Sequence, residues 1–311
     1  VTEETPAGSA RRTDAFVGPH GVRAGWRILL FCALCAVGTP LAGLPVALLG
    51  LGELAAGFVA LLAAGLAASW VMLRFVDRRP FAALGFAPEP RAARDSLLGF
   101  GVGGAVLGGT VAVLAMAGTV RWVADDGTAA DYAATLAGLL VSFAVAAAAE
   151  EVLFRGYAFQ ALVQGIGAWP ATLLLSAAFA LGHAGNPNVS WPGLANIFLA
   201  GVMLSVAYLR TRSLWFATAV HLGWNWVMSA LLDFPVSGLQ LDTPLYDVRK
   251  LGGAEWLTGG TFGPEAGLAA TAFITAATLW MLRTPLLAES ARMRDARPLV
   301  DTTLGERWNG R

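Results

Sequence analysis

Charge is scarce in this chain. Only 14% of its 311 residues are Asp, Glu, Lys or Arg, and 21 basic residues balance 21 acidic ones. Soluble domains carry about 25% charge. Without a basic excess there is no electrostatic footprint for nucleic acid, so no such partner is expected. Lysine is nearly missing: Lys250 stands alone among arginines. With so much Ala and Gly, that bias points to a GC-rich bacterial genome. Cysteine is as rare. Cys32 and Cys35 form a C-x-x-C, a redox spacing in a βαβ setting, but both lie in an apolar stretch and read as small core or lipid-facing residues. Apolar residues fill the gap, with 56% AVILMFWYC and 37 glycines. Mean hydropathy is +0.62. A water-soluble globule could not hide this much apolar surface, and disordered chains have the opposite composition. The composition predicts an all-α, polytopic transmembrane helical bundle surrounded by the lipid bilayer, in a bacterial cytoplasmic membrane.

A bilayer core of about 30 Å needs roughly 20 apolar residues as helix. Eight stretches approach this: 28–50, 53–73, 96–118, 137–159, 169–186, 192–209, 214–232 and 264–282. Pro40 and Pro45 predict a kink or break in the first. Residues 1–22 read as a disordered cytoplasmic arm rather than a cleavable signal peptide. Residues 23–94 read as a transmembrane hairpin with a basic linker, and 95–232 as the membrane core that carries the chemistry. An extracytoplasmic loop (233–263), a last helix (264–283) and a cytoplasmic tail (284–311) follow. Arg11, Arg12, Arg23 and Arg27 precede the first span. Arg74, Arg78, Arg79, Arg91 and Arg94 follow the second, Arg210 and Arg212 the sixth, and Arg283, Arg292, Arg294 and Arg297 the eighth. The alternate loops hold Asp125, Asp126 and Asp131, then Asp233, Asp242, Asp247 and Glu255. Basic loops stay in the cytoplasm, so both termini are expected there.

The run Gly99-Phe100-Gly101-Val102-Gly103-Gly104 matches G-x-G-x-x-G in form. It follows no strand and lies in a membrane span, so it is not a dinucleotide site. Gly99/Gly103 and Gly104/Gly108 read instead as small-xxx-small helix packing.

Ionisable groups inside a membrane are costly, and each is a functional candidate. His183 and His221 lie within apolar spans, Glu150 and Glu151 follow four alanines, and Asn225 lies four residues after His221. Residues i and i+4 share a helix face, while neighbours diverge by about 100°. Glu151 can therefore pair with Arg155, leaving Glu150 pointing elsewhere. Phe179 shares a face with His183, and His221 with Asn225. His183 lies about 20 Å along its helix from Pro170, and His221 about 14 Å from Arg212. If the fourth helix runs on to Leu162, Glu150 lies roughly 18 Å in, level with both. A long, tilted fourth helix is therefore expected.

These residue types suit hydrolysis. A buried glutamate can act as general base, with a neighbouring histidine sharing the water. A second His with an Asn can stabilise an oxyanion. Together they fit water attack on an amide carbonyl without a cofactor. The alternative is a zinc site with Glu150, His183 and His221 as ligands, although H-E-x-x-H is absent. A third reading is a proton-coupled transporter. No inverted repeat supports it, and the polar groups cluster at one centre rather than along a path.

Glu150-Glu151-x-x-x-Arg155, then Phe179-x-x-x-His183, then His221-x-x-x-Asn225 resemble the three motifs of the CPBP family, the CAAX-processing intramembrane endopeptidases and their bacterial relatives. The ordered set spans about 75 residues. Asp77-Arg78-Arg79-Pro80 through Leu84-Gly85-Phe86 looks like the linker before this core in bacterial members. The resemblance implies an all-helical core around a cavity open to the cytoplasm. It also implies endoproteolysis of membrane-associated protein or peptide substrates. By motif position, Glu150 and His183 would activate water, and His221 with Asn225 would form the oxyanion site. Glu151, Arg155 and Phe179 would support them, and Asn186 is a further polar candidate. The family has been described both as metalloproteases and as glutamate-dependent proteases.

Overall fold

The computed structural model describes residues 16–18, 21–241 and 243–302. Two short strands, β1 (Val17–Gly18) and β2 (Gly21–Val22), lead into α1 (Ala24–Ala47) and α2 (Glu53–Val71). Next come α3 (Pro90–Met116), β3 (Val120–Ala124), α4 (Ala129–Phe154), α5 (Tyr157–Ile166) and α6 (Ala168–Gly182). After these lie α7 (Trp191–Thr211), α8 (Leu214–Trp226), β4 (Tyr246–Lys250), α9 (Glu255–Thr258), α10 (Leu268–Arg283) and α11 (Ala291–Ala296). The molecule is a helical membrane bundle. Five helical stretches are long and apolar enough to cross a bilayer: Ala24–Ala47, Glu53–Val76, Pro90–Met116, Ala129–Ile166 and Trp191–Thr211. Helices α6 and α10 are apolar but shorter, and α8 has 13 residues before a π-helical turn at Val227–Leu231. The segments expected at 169–186, 214–232 and 264–282 are thus helical, but their α-helices fall short of about 30 Å at 1.5 Å per residue.

The chain alternates between two ends of the bundle. At one end Arg27 meets Asp77 at 2.5 Å and Gln164 at 2.5 Å. Tyr157 donates to Asp77 at 2.6 Å, and Gln160 donates to the carbonyls of Ala83 and Leu84. The Leu299 N–H donates to Gln160 at 3.0 Å, and Arg210 donates to the Thr284 and Leu287 carbonyls. The start of α1 and the last described residues therefore lie at the same end. At the other end β3 and β4 pair antiparallel, from Val120 with Lys250 to Ala124 with Tyr246. Most loop arginines gather at the first end. The second holds Asp125, Asp126, Asp233 and Asp247, together with Arg121, Arg249 and Lys250 on the two strands.

Several boundaries depart from expectation. The arm at 1–22 lies largely outside the described residues, and its described part includes the β1–β2 pair. Helix α1 runs through Pro40 without a break and ends two residues after Pro45. Helix α4 starts at Ala129 rather than 137, because a capping box holds its polar first turn. The Thr128 hydroxyl accepts from the Asp131 N–H at 3.2 Å, and the Asp131 carboxylate accepts from the Thr128 N–H at 3.3 Å. The long fourth helix is interrupted. It ends at Phe154, and α5 begins after Gly156, whose φ is −77° and ψ −131°. A Cβ at 156 would sit 2.2 Å from the Val152 carbonyl oxygen, so the break needs glycine. The apolar run beyond the charges is a separate helix, buried from Tyr157 to Gln164 against α1, α6 and the last described residues.

Glycines set the closest helix contact. A Cβ on Gly99 would lie 2.5 Å from the Phe216 carbonyl oxygen, and one on Gly103 1.9 Å from that of Val220. Gly223 approaches Phe100 in the same way. Helix α3 thus presses α8 backbone to backbone, as the spacing predicted for Gly99/Gly103. Gly104 faces Val227 more loosely, and Gly108 meets nothing, so the second pair is only half used.

Candidate active site

Three helix ends build the site. Glu150 and Glu151 lie in the last two turns of α4. His183 follows α6 directly, its backbone N–H bonded to the Ala180 carbonyl at 3.0 Å. His221 and Asn225 lie one turn apart on α8, which opens on a Ser213 cap accepting from the Phe216 N–H. Glu150, Phe179, His183, Asn186, His221 and Asn225 line one cavity of about 350 Å³. Leu54, Phe58 and Leu61 of α2 form part of its apolar wall.

The pair expected between Glu151 and Arg155 is present at 3.0 Å, with both side chains buried. The structure adds a partner that spacing could not show. The same Glu151 oxygen lies 3.0 Å from His221 Nδ1. Glu151 therefore joins α4 to α8 as well as holding Arg155. Arg155 also donates to the Gly201 carbonyl of α7 at 3.1 Å, and its guanidinium lies 4.5 Å from the Phe179 ring centre. Phe179 in turn packs on the His183 ring, with centroids 4.7 Å apart.

Both histidines have one nitrogen committed. His183 Nδ1 lies 2.8 Å from the Phe179 carbonyl, which only accepts, so Nδ1 carries a proton and Nε2 bears the lone pair of the neutral ring. His221 directs Nε2 toward Glu150 Oε2 at 3.8 Å. That Glu150 oxygen is buried and has no hydrogen-bond partner among the described residues. Glu150 thus projects a carboxylate oxygen without a hydrogen bond into the site, while Glu151 is anchored through Oε1 alone, its Oε2 also lacking a partner among the described residues. The 100° offset between neighbours explains the division. The three residues considered as zinc ligands share a cavity. Even so, among the described residues no three His, Cys, Asp or Glu side chains gather closely enough to hold an ion.

One residue near the site went unrecognised in the sequence. Glu265 sits on a 3₁₀ turn, Pro264–Ala266, before α10, and is 7% exposed. It lines a small second cavity of about 40 Å³ together with His183, Asn196, His221, Asn225 and Ser237. The signal was available, since Glu265 is an acidic residue inside a stretch taken as apolar span.

A helical membrane bundle with a half-buried Glu, two His and an Asn around one cavity defines the general class. A family model describing the type II CAAX prenyl endopeptidase, Rce1-like, matches residues 132–227. That segment runs from the first turn of α4 to just past α8 and holds all three motifs. The match agrees with the resemblance of these motifs to the CPBP family. No curated protein matches the chain.

Proposed function

We propose that the chain is an intramembrane endopeptidase that hydrolyses peptide bonds of membrane-associated protein or peptide substrates. The observation that carries this reading is the convergence of Glu150, His183, His221 and Asn225 on one cavity within the protease-matched segment. Glu150 is the base: its free oxygen takes a proton from a water held between it and His183 Nε2. The water oxygen attacks the carbonyl carbon, and negative charge develops on the carbonyl oxygen. The Asn225 amide and His221 Nε2–H, in the imidazolium form, donate to that oxygen. Glu151 orients His221 through Nδ1 and is itself held by Arg155. The proton then passes to the leaving nitrogen, and the C–N bond breaks.

The gathering of arginines at one end supports an orientation with that end, and so the last described residues, in the cytoplasm. Cleavage of a fluorogenic peptide by purified full-length protein in detergent, compared with Glu150→Gln, tests the function. Turnover in the wild type and none in the variant is expected. Equal turnover in both would remove the proposed base.

A further inference from the structure

Glu265 is buried, and no salt bridge reaches it among the described residues. A carboxylate in such a place is costly unless its oxygens are hydrogen-bonded. Both are. Oε1 accepts from the Trp224 indole N–H at 2.8 Å, and Oε2 accepts from the Ser237 backbone N–H at 2.5 Å. Its own carbonyl accepts from the Asn196 amide at 2.7 Å, which seats the turn on α7. Asn196 is fixed in turn by the Thr271 hydroxyl at 2.7 Å.

The two partners of the carboxylate belong to different halves of the site. Trp224 stands on α8 between His221 and Asn225. Ser237 lies in a tight turn whose carbonyl accepts from the Asn186 amide at 3.1 Å, three residues beyond His183. The turn is pressed onto that loop: a Cβ on Gly238, at φ +83°, would sit 1.9 Å from the Pro187 carbonyl oxygen. A continuous chain of hydrogen bonds therefore runs Asn186–Ser237–Glu265–Trp224 across the cavity. It ties the loop carrying His183 to the helix carrying His221 and Asn225. Ser237 and Glu265 both lie beyond the matched segment 132–227, so this tie is supplied by the chain outside that domain.

We propose that Glu265 is a positioning residue, the keystone of a clasp that sets the distance between His183 and the His221–Asn225 pair. The inference rests on the protease reading above. The chemistry explains why a carboxylate stands here. Both neighbours are N–H donors, and among uncharged side chains of this shape none accepts at both ends. Glutamine would present its NH₂ to one of the donors. Because both carboxylate oxygens are bound within the clasp, its loss acts first on the spacing of the reacting groups.

The test uses the full-length protein in detergent, with wild type, Glu150→Gln, Glu265→Gln, Trp224→Phe and the double variant Trp224→Phe/Glu265→Gln. Misplacing reacting groups by about 1 Å costs up to about 100-fold in rate. Glu265→Gln is expected to lower kcat about 10- to 100-fold with KM within about 3-fold of wild type. Trp224→Phe cuts the same tie from the other side, so it is expected to lower kcat as well, and the double variant is expected to fall no further than the lower of the two single variants. Two independent losses would instead add. If Glu265→Gln does not fold, the double variant serves as the test and must show the kcat loss itself. Wild-type kcat in a folded variant at 265, a loss carried in KM, or additive effects of the two substitutions would overturn the clasp. An inactive wild type would overturn the protease reading and the clasp with it. Active wild type, dead Glu150→Gln and normal Glu265→Gln would overturn the clasp alone.

Discussion

Glu150 and Glu151 are adjacent, yet their substitution should separate catalysis from stability. The structure gives Glu150 Oε2 no hydrogen-bond partner among the described residues. Replacing Glu150 with Gln removes no observed hydrogen bond and should leave the melting temperature of the detergent-solubilised protein near wild type. Loss of a general base lowers turnover by about 10²- to 10⁴-fold, so Glu150→Gln should approach the assay background. Glu151 is anchored through its other oxygen. Its Oε1 serves Arg155 at 3.0 Å and His221 Nδ1 at 3.0 Å, and Arg155 is only 1% exposed. Removing one member of a buried pair costs about 3–5 kcal/mol, the expected scale for Glu151→Ala. Glu151→Gln is milder, because its amide oxygen still accepts from Arg155. That same oxygen can also still accept from His221 Nδ1–H, but without the carboxylate charge that favours the imidazolium. A folded protein of lower stability and reduced but measurable activity is expected. Melting curves and peptide cleavage on the same preparations check both statements. A dead, well-folded Glu151→Gln beside a Glu150→Gln of near-normal turnover would refute the assignment.

His183→Ala should abolish cleavage and lower the melting temperature modestly, since it removes the hydrogen bond to the Phe179 carbonyl and the packing on the Phe179 ring, as read by the same two assays. Activity should survive extensive chelation, with elemental analysis finding well under one zinc per chain. Near-stoichiometric zinc, with activity lost on chelation and restored by metal, would contradict the metal-free mechanism. In a background without Cys32 and Cys35, a cysteine at Asp247 should be labelled from outside intact cells and one at Arg294 should not. Labelling at both would defeat the eight-segment topology. Gly103→Ala should destabilise by about 1–3 kcal/mol, because the added carbon meets the Val220 carbonyl oxygen at 1.9 Å. Thermal melting measures the loss, and an unchanged melt would mean that α3 and α8 are less tightly apposed.

The sequence by itself determined the class of molecule, since too few charges and too many apolar residues leave a helical membrane bundle as the consistent reading. It determined the candidate residues for a related reason. Ionisable groups stand out against an apolar background, and i,i+4 spacing assigns faces within one helix, as it did for Glu151 with Arg155. Helix packing was legible in part. Gly99 and Gly103 repeat at a spacing that keeps one face bare, and that face meets α8.

Contacts between helices far apart in the chain were decided only by the tertiary structure. No spacing rule relates Glu151 to His221, 70 residues later, because the arrangement of α4 and α8 depends on how the whole bundle packs. The break at Gly156 was hidden because a single glycine is tolerated within a helix and apolar residues resume directly after it. The ψ adopted there, and its close approach to Val152, depend on α5 docking against α1 and α6. Glu265 was hidden for the same reason. Its partners, Trp224, Ser237 and Asn196, come from separate segments, and only the folded chain brings their donors to its two oxygens and its carbonyl.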